Sequence, residues 1–326
     1  MTAQPPHIEI GLNAVVVAVE NGQPLALTVR DDEISALNPG LPSGPFNPNS
    51  HRTLEAGLRH WVEDQTDLSL GYVEQLYTFG DRGRLRSVND PKLHLVSVGY
   101  LTLVRQPTIL SDATNLRWVN WYDHLPWEDW RTGPPTILVN HILPALADWG
   151  RSESQADKTA WNRIQLAFGC YDDLDSYKQN HTWDEERVLE RYELMYEAGL
   201  VDEVVTDGMR AATRLDTPIG IPLRHDHRRI LATAMARLRG KLKYRPVVFE
   251  LMPVRFTLTQ LQTTVETLSG RQLHKQNFRR MIEGSGLVEP TGEKSSETGG
   301  RPAALFRYKR SIRRERPAPG IRVGPS

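Results

Sequence analysis

Residues 271–310, RQLHKQNFRRMIEGSGLVEPTGEKSSETGGRPAALFRYKR, decide how the end of the chain folds. Apolar spacing predicts a helix from about Leu273 to Glu283, with Phe278 and the Met281-Ile282 pair turned inward. His274, Lys275, Gln276, Asn277, Arg279 and Arg280 then share a polar, cationic outer face, and Gly284 and Gly286 end the helix. Leu287–Pro290 and Ala303–Tyr308 read as two short strands; the Gly/Ser/Thr-rich loop between them carries Lys294 and Arg301. Immediately upstream, FTLTQLQ at 256–262 contains a helix start, because Thr257 or Thr259 can accept from the free N–H groups of a first turn. Leu258, Leu261, Val265 and Leu268 follow as one apolar stripe, and Gly270 stops it. Helix, turn, helix and hairpin in this order specify a winged helix-turn-helix.

The chemistry of that outer face suits DNA. A helix fits the major groove, where Asn or Gln pairs with adenine and Arg with guanine, while surrounding cations neutralise phosphates. Residues 271–326 hold thirteen Lys and Arg against five Asp and Glu, a net of +8. The 40 basic and 40 acidic residues of the whole chain cancel, so residues 1–270 carry −8. A basic end on an acidic body is the footprint of a nucleic-acid partner, and a solvated basic tail shares that composition. The candidate DNA contacts are Thr257, Thr259, His274, Lys275, Gln276, Asn277, Arg279, Arg280, Lys294 and Arg301.

The segment 256–308 resembles the C-terminal domain of the Nudix-related transcriptional regulators of bacterial NAD metabolism, the NrtR family. NFRR at 277–280 and GRPAALFRY at 300–308 carry the resemblance most specifically. It implies a DNA-binding repressor of NAD-biosynthesis genes. Such a repressor acts as a homodimer on a palindromic double-stranded operator and is controlled by a nucleotide held in a Nudix-like domain.

A chain of 326 residues fits about two domains. The single cysteine, Cys170, excludes an internal disulfide and a Cys-based zinc site. The first residues lack a charged n-region followed by an apolar run, and no stretch of ~20 apolar residues occurs, so a soluble, cytoplasmic protein with no membrane partner is expected.

The near-continuous apolar run from Ile8 to Val19 predicts a buried strand. Glu20-Asn21-Gly22-Gln23 is a hairpin turn, and Pro24–Arg30 returns. After LPSG at 41–44 come a helix from about Thr53 to Gln65 and strands at 71–79 and 94–104. This order resembles a Nudix fold, which makes the expected class α+β: a Nudix-like α/β/α sandwich, a helical insertion and a C-terminal winged helix-turn-helix. Active Nudix hydrolases carry a box of the form G-x5-E-x7-R-E-U-x-E-E-x-G-U, whose glutamates hold divalent cations against a pyrophosphate. With Arg59 on the Arg of the box, His60, Glu63 and Asp64 fall where three carboxylates are expected, His51 replaces the first Glu and Thr66 the last Gly. The set is incomplete, so no catalytic residue and no metal site are expected. Glu63 and Asp64 remain as a weak Mg²⁺ pair or an exposed acidic face.

QLYTFGDRGR at 75–84 leads bulky apolar residues into a Gly-rich turn with two arginines. Rings can stack on adenine, and guanidinium forks can clamp a pyrophosphate. YTFGD matches the segment that precedes the effector-contacting loop of the family. The expected effector contacts are Arg30, Tyr77, Phe79, Asp81, Arg82, Arg84, Trp121 and His227. Taken singly, Tyr77 and Phe79 read as core before ligand contact, Arg82 and Arg84 as ligand contact before solvated charge, and His227 either packs or faces the cleft. The effector is ADP-ribose, NAD or ATP, with or without Mg²⁺, and no other cofactor is required.

The expected organisation is a sensing domain at 1–140, a helical insertion at 141–222, a helix at 223–245 that completes the sensor and links onward, a winged helix-turn-helix at 246–310 and a basic tail at 311–326. Within the insertion, Asp184 is placed to cap a helix over Glu185–Ala198. In the linking helix, Asp226 is placed as N-cap, and Ile230, Leu231, Ala234, Leu238 and Leu242 form its stripe. The insertion makes the chain most like the longer, NadQ-type members of this group. A second reading is an active hydrolase of ADP-ribose-like pyrophosphates with an appended DNA-binding domain; a third is a protein-interaction wing.

Overall fold

The structure is a computed structural model that describes residues 7–30, 38–81, 93–107, 115–154, 159–169, 183–208, 215–295 and 302–309. Its centre is β1 (His7–Glu20), the strand expected from the apolar run. β1 pairs in parallel with β5 (Leu93–Leu103) along His7–Val17. It also pairs antiparallel with β2 (Gln23–Val29) through the hairpin. Asn21 and Gly22 both have positive φ, 50° and 70°, the backbone that a two-residue hairpin turn demands. The sheet order is β4-β5-β1-β2-β6, with β3 (Ser43–Pro45) on β1, β4 spanning Tyr72–Phe79 and β6 Leu116–Asn120.

Both faces of β1 are covered, which is why the run is apolar throughout. Leu12, Ala14 and Val16 pack with Leu58 and Val62 of α1 (Leu54–Thr66). Val15 and Val17 belong to a second core with Ile230 and Leu231 of the long linking helix. Each fully buried side chain of this kind stabilises by about 1.5–3 kcal/mol. Thr53 caps α1 by accepting from the Ala56 N–H at 3.1 Å.

After α2 (Trp121–His124), the insertion contributes α3 (Leu143–Ser154), α4 (Thr159–Phe168), α5 (Val188–Glu197) and α6 (Glu203–Thr206). α5 begins later than expected. Asp184 accepts from the Glu186 N–H at 3.0 Å and closes a turn, so it does not cap the helix. The linking helix, α7 (His227–Tyr244), buries all five residues of its stripe. Asp226 precedes it without a capping bond, because its carboxylate is held by Arg229 at 3.1 Å.

The C-terminal unit has the expected order: α8 (Leu258–Ser269), α9 (Lys275–Ser285), β7 (Val288–Ser295) and β8 (Ala303–Tyr308). Thr257 and Gln260 form a reciprocal capping box at 3.1 and 2.8 Å. Gly270 and Gly286 end the two helices in the left-handed region, φ 74° and 68°. Phe278, Ile282 and Leu287 join the same core cluster as Val15 and Ile230, so the second core runs without a break from the sheet through the insertion into the winged unit.

Candidate nucleic-acid interface, effector tract and the joint between them

α9 presents one face outward. Phe278 and Ile282 are buried, while Lys275, Gln276, Asn277, Arg279, Arg280 and His274 are exposed. Arg280 donates to the Asn277 side chain at 3.4 Å. His274 precedes the helix without a side-chain cap. The start of α9 is fixed instead from α8. Glu266 accepts from the Leu273 N–H at 2.8 Å, and Gln262 donates to the Leu273 carbonyl at 2.8 Å. Thr259 and Lys294 are exposed. Thr257 is buried and its hydroxyl oxygen is taken by the cap, which corrects its reading as a DNA contact. Arg301 and the tail lie outside the described residues. Two wing-side cations missed in the sequence are Arg255 and Arg307, each paired with a wing carboxylate, Glu293 and Glu289.

The tract expected to contact an effector is partly assembled. β4 bulges between Gln75 and Thr78, and Tyr77 is left 60% exposed. Its ring meets Phe79 edge-on at 5.1 Å. Phe79 is itself buried, with the Arg229 guanidinium 4.7 Å above its ring. Arg229 also pairs with Asp81, Glu193 and Asp226. Arg30 is exposed at the end of β2, and Arg82 and Arg84 lie outside the described residues. Two expectations are corrected. Trp121 is fully buried against Tyr122 and has no open ring face. His227 packs: its Nδ1 accepts from the Leu41 N–H at 2.8 Å, and burial pushes its pKa well below the ordinary value. His124, in the same short helix as Trp121, bonds the Ile221 carbonyl through Nδ1 at 2.8 Å.

On the box helix, Glu63 and Asp64 are exposed, while Arg59 pairs with Glu55 and donates to the Leu70 and Gly71 carbonyls. His51 packs beside His60 and Trp61 and accepts from the Asn47 N–H. Trp61 lies so close to the loop that a Cβ on Gly44 would fall 2.2 Å from its ring. Among the described residues, no group of three His, Cys, Asp or Glu converges as metal ligands.

The largest feature that sequence reasoning missed is a buried joint. Glu128 receives two bonds from Arg191 of α5, at 2.6 and 2.8 Å, and one from Arg239 of α7 at 2.6 Å. All three side chains are fully buried. Burial alone would raise the Glu128 pKa, but the two guanidinium groups outweigh it and hold the carboxylate below its usual range. Arg191, Arg239 and Arg271 also surround the Trp183 ring at 4.9–5.3 Å. From the winged unit, Thr267 donates to the Gly22 carbonyl at the hairpin tip, and the Thr267 carbonyl accepts from Tyr122. The one available signal was Glu128 itself, an acid set between Trp127 and Trp130. Among the described residues no helix is long and apolar enough to cross a membrane.

Comparison with known proteins agrees with this architecture. Residues 248–308 match the family model of the NrtR DNA-binding winged helix domain. The chain is 42% identical over 94 residues to the ADPR responsive transcriptional repressor NtrR of Acinetobacter baylyi, a match that covers 29% of this chain and 37% of that protein. It therefore spans little more than a third of that relative's length. Among solved structures, NrtR of Shewanella oneidensis complexed with a 27mer DNA matches with a TM-score of 0.52 and 21% identity, over 92% of this chain and 93% of that one. A MutT/nudix family protein from Enterococcus faecalis matches with a TM-score of 0.51 and 17% identity, over 95% and 88%. The fold is that of a Nudix-type domain followed by a winged helix, and residues 248–308 are a winged helix domain of the NrtR type.

Proposed function

We propose that this chain is a transcriptional repressor of NAD-biosynthesis genes whose Nudix-like domain senses an NAD-related nucleotide. The observation that carries the reading is α9. An NrtR-type winged helix turns Lys275, Gln276, Asn277, Arg279 and Arg280 to solvent while its support helix is bonded into a Nudix-like body. Base readout falls to Asn277, Gln276 and one of the two arginines, phosphate contact to His274, Lys275, Thr259, Lys294 and Arg301. ADP-ribose is the first effector to test, because the Acinetobacter relative is ADPR responsive; NAD and ATP follow. Arg30, Tyr77, Asp81, Arg82 and Arg84 are the proposed contacts. The sensor comprises 1–140 and 223–245, the insertion 141–222, the reader 246–310 and the tail 311–326. A homodimer on a palindrome satisfies the two-fold symmetry of such readers.

The box helix supports binding without turnover, since His60 and His51 stand where cation-holding glutamates are needed. The test has two arms. Promoter fragments from the neighbouring genes should be retarded by the protein at low salt, and ADP-ribose should raise its melting temperature. Absence of any retarded fragment removes the repressor reading. AMP release from ADP-ribose with Mg²⁺, lost in Glu63→Gln, would establish the hydrolase reading in place of the pure sensor.

A further inference from the structure

The last carbonyls of an α-helix have no partner within the helix and must find donors elsewhere. In α8, the helix that supports the recognition helix, those donors come from the sensor. The Tyr122 hydroxyl donates to the Thr267 carbonyl at 2.8 Å. Arg239 Nε donates to the Leu268 carbonyl at 3.1 Å. The Trp130 N–H donates to the Gly270 carbonyl at 2.9 Å. The fit leaves no slack: a Cβ on Gly270 would lie 2.6 Å from the Glu128 carbonyl oxygen. α9 begins at Lys275, a few residues later, and its start is itself clamped by Glu266 and Gln262 of α8.

Arg239 is the hub of this cap. Its remaining N–H groups reach the Glu128 carboxylate and carbonyl, the Glu185 carbonyl and the Tyr122 hydroxyl, at 2.6, 2.9, 3.2 and 3.3 Å. All five donors of one guanidinium are thus used, on the reader, the sensor and the segment leading into α5. A lysine offers three donors and no planar fork, so it cannot reproduce the set. Arg239 also sits ten residues along α7 from Arg229, about 15 Å of rigid helix. Arg229 is the residue that lies on Phe79 and pairs with Asp81 in the effector tract.

We infer that Arg239 and Tyr122 are positioning residues that couple the effector tract to the recognition helix, with α7 as the lever between them. One end of α7 is held by the tract and the other caps the reader. A nucleotide that alters the Arg229–Asp81–Phe79 contact therefore changes where α8 ends and how α9 is presented. The inference rests on the sensor-repressor reading above.

The test measures affinity for a labelled promoter duplex by anisotropy, with and without saturating ADP-ribose, in wild type, Tyr122→Phe and Arg239→Lys. The readout is the ratio of the two dissociation constants, which a merely structural role would not move. Wild type should give a ratio of about fivefold or more, the usual range of such coupling. Both variants should still bind ADP-ribose by thermal shift and still bind the duplex, with the ratio reduced at least about threefold, the scale of one lost hydrogen bond. If Arg239→Lys fails to fold, Tyr122→Phe decides alone, because it removes only the hydroxyl. Ratios equal to wild type in folded variants overturn the coupling role. A wild-type ratio of one with ADP-ribose, NAD and ATP in turn overturns the sensor reading itself, and that outcome is visible before any variant is made.

Discussion

α9 and the buried joint are stabilised in opposite ways. α9 is a local object: two buried apolar residues, an exposed polar face and a glycine stop, all within twelve residues. The joint is non-local. Glu128 meets Arg191 and Arg239 across 63 and 111 residues, and Tyr122 meets Thr267 across 145. The first kind of structure can vary its surface without disturbing the fold; the second cannot lose one partner without stranding another.

Several substitutions break or sharpen this contrast. Glu128→Ala has the largest expected effect. It leaves two arginines buried without a counter-charge, a loss of about 3–5 kcal/mol by urea denaturation. A loss under 1 kcal/mol would mean that the joint is solvated. Smaller than this is the acid response. Burial holds His124 and His227 below the ordinary value of 6.5. The unfolded chain therefore takes up protons first, so their contribution is complete above pH 6.5 and shrinks as the pH falls below it. Glu128 adds a second limb below its ordinary 4.5, where its depressed carboxylate is finally protonated. The urea midpoint should drop between pH 7 and 5.5, and less steeply in His227→Gln; a flat midpoint there contradicts the neutral buried histidines.

On the reader side, whichever of Arg279→Ala and Arg280→Ala removes a bidentate base contact should cost about 1–3 kcal/mol of operator affinity with the melting temperature unchanged. Operator affinity unaltered in both would misplace the recognition helix. Thr257→Ala should lose about 1 kcal/mol of stability through the cap, and Thr257→Ser should restore it. If duplex binding fell with no stability change, Thr257 would be a DNA contact after all. The smallest effect is Lys294→Ala, which should reduce the salt slope of duplex binding by about one and leave stability alone.

How much of this was legible follows the same division. The winged helix-turn-helix was readable because its signals are local: the Thr257 cap, the Leu258–Leu268 stripe, the Gly270 and Gly286 stops. The β1–β2 hairpin was readable from Asn21-Gly22 for the same reason. The cap that Asp226 was expected to form was lost to a charge one turn on, Arg229, and the helix expected from Glu185 starts later because Asp184 closes a turn. Trp121 and His227 look like ligand groups by residue type, but the second layer of packing that buries them comes from elements distant in sequence. Arg239 had no signal of its own: in sequence it is one more basic residue on a helix rich in them.

The most direct measurement is an anisotropy titration of a labelled promoter duplex with wild type and with the Lys275→Ala/Arg279→Ala/Arg280→Ala protein at matched salt. The account predicts saturable binding by wild type and its loss in the triple variant, with both proteins melting at the same temperature. Equal binding by the two, or none by either at low salt, would contradict it.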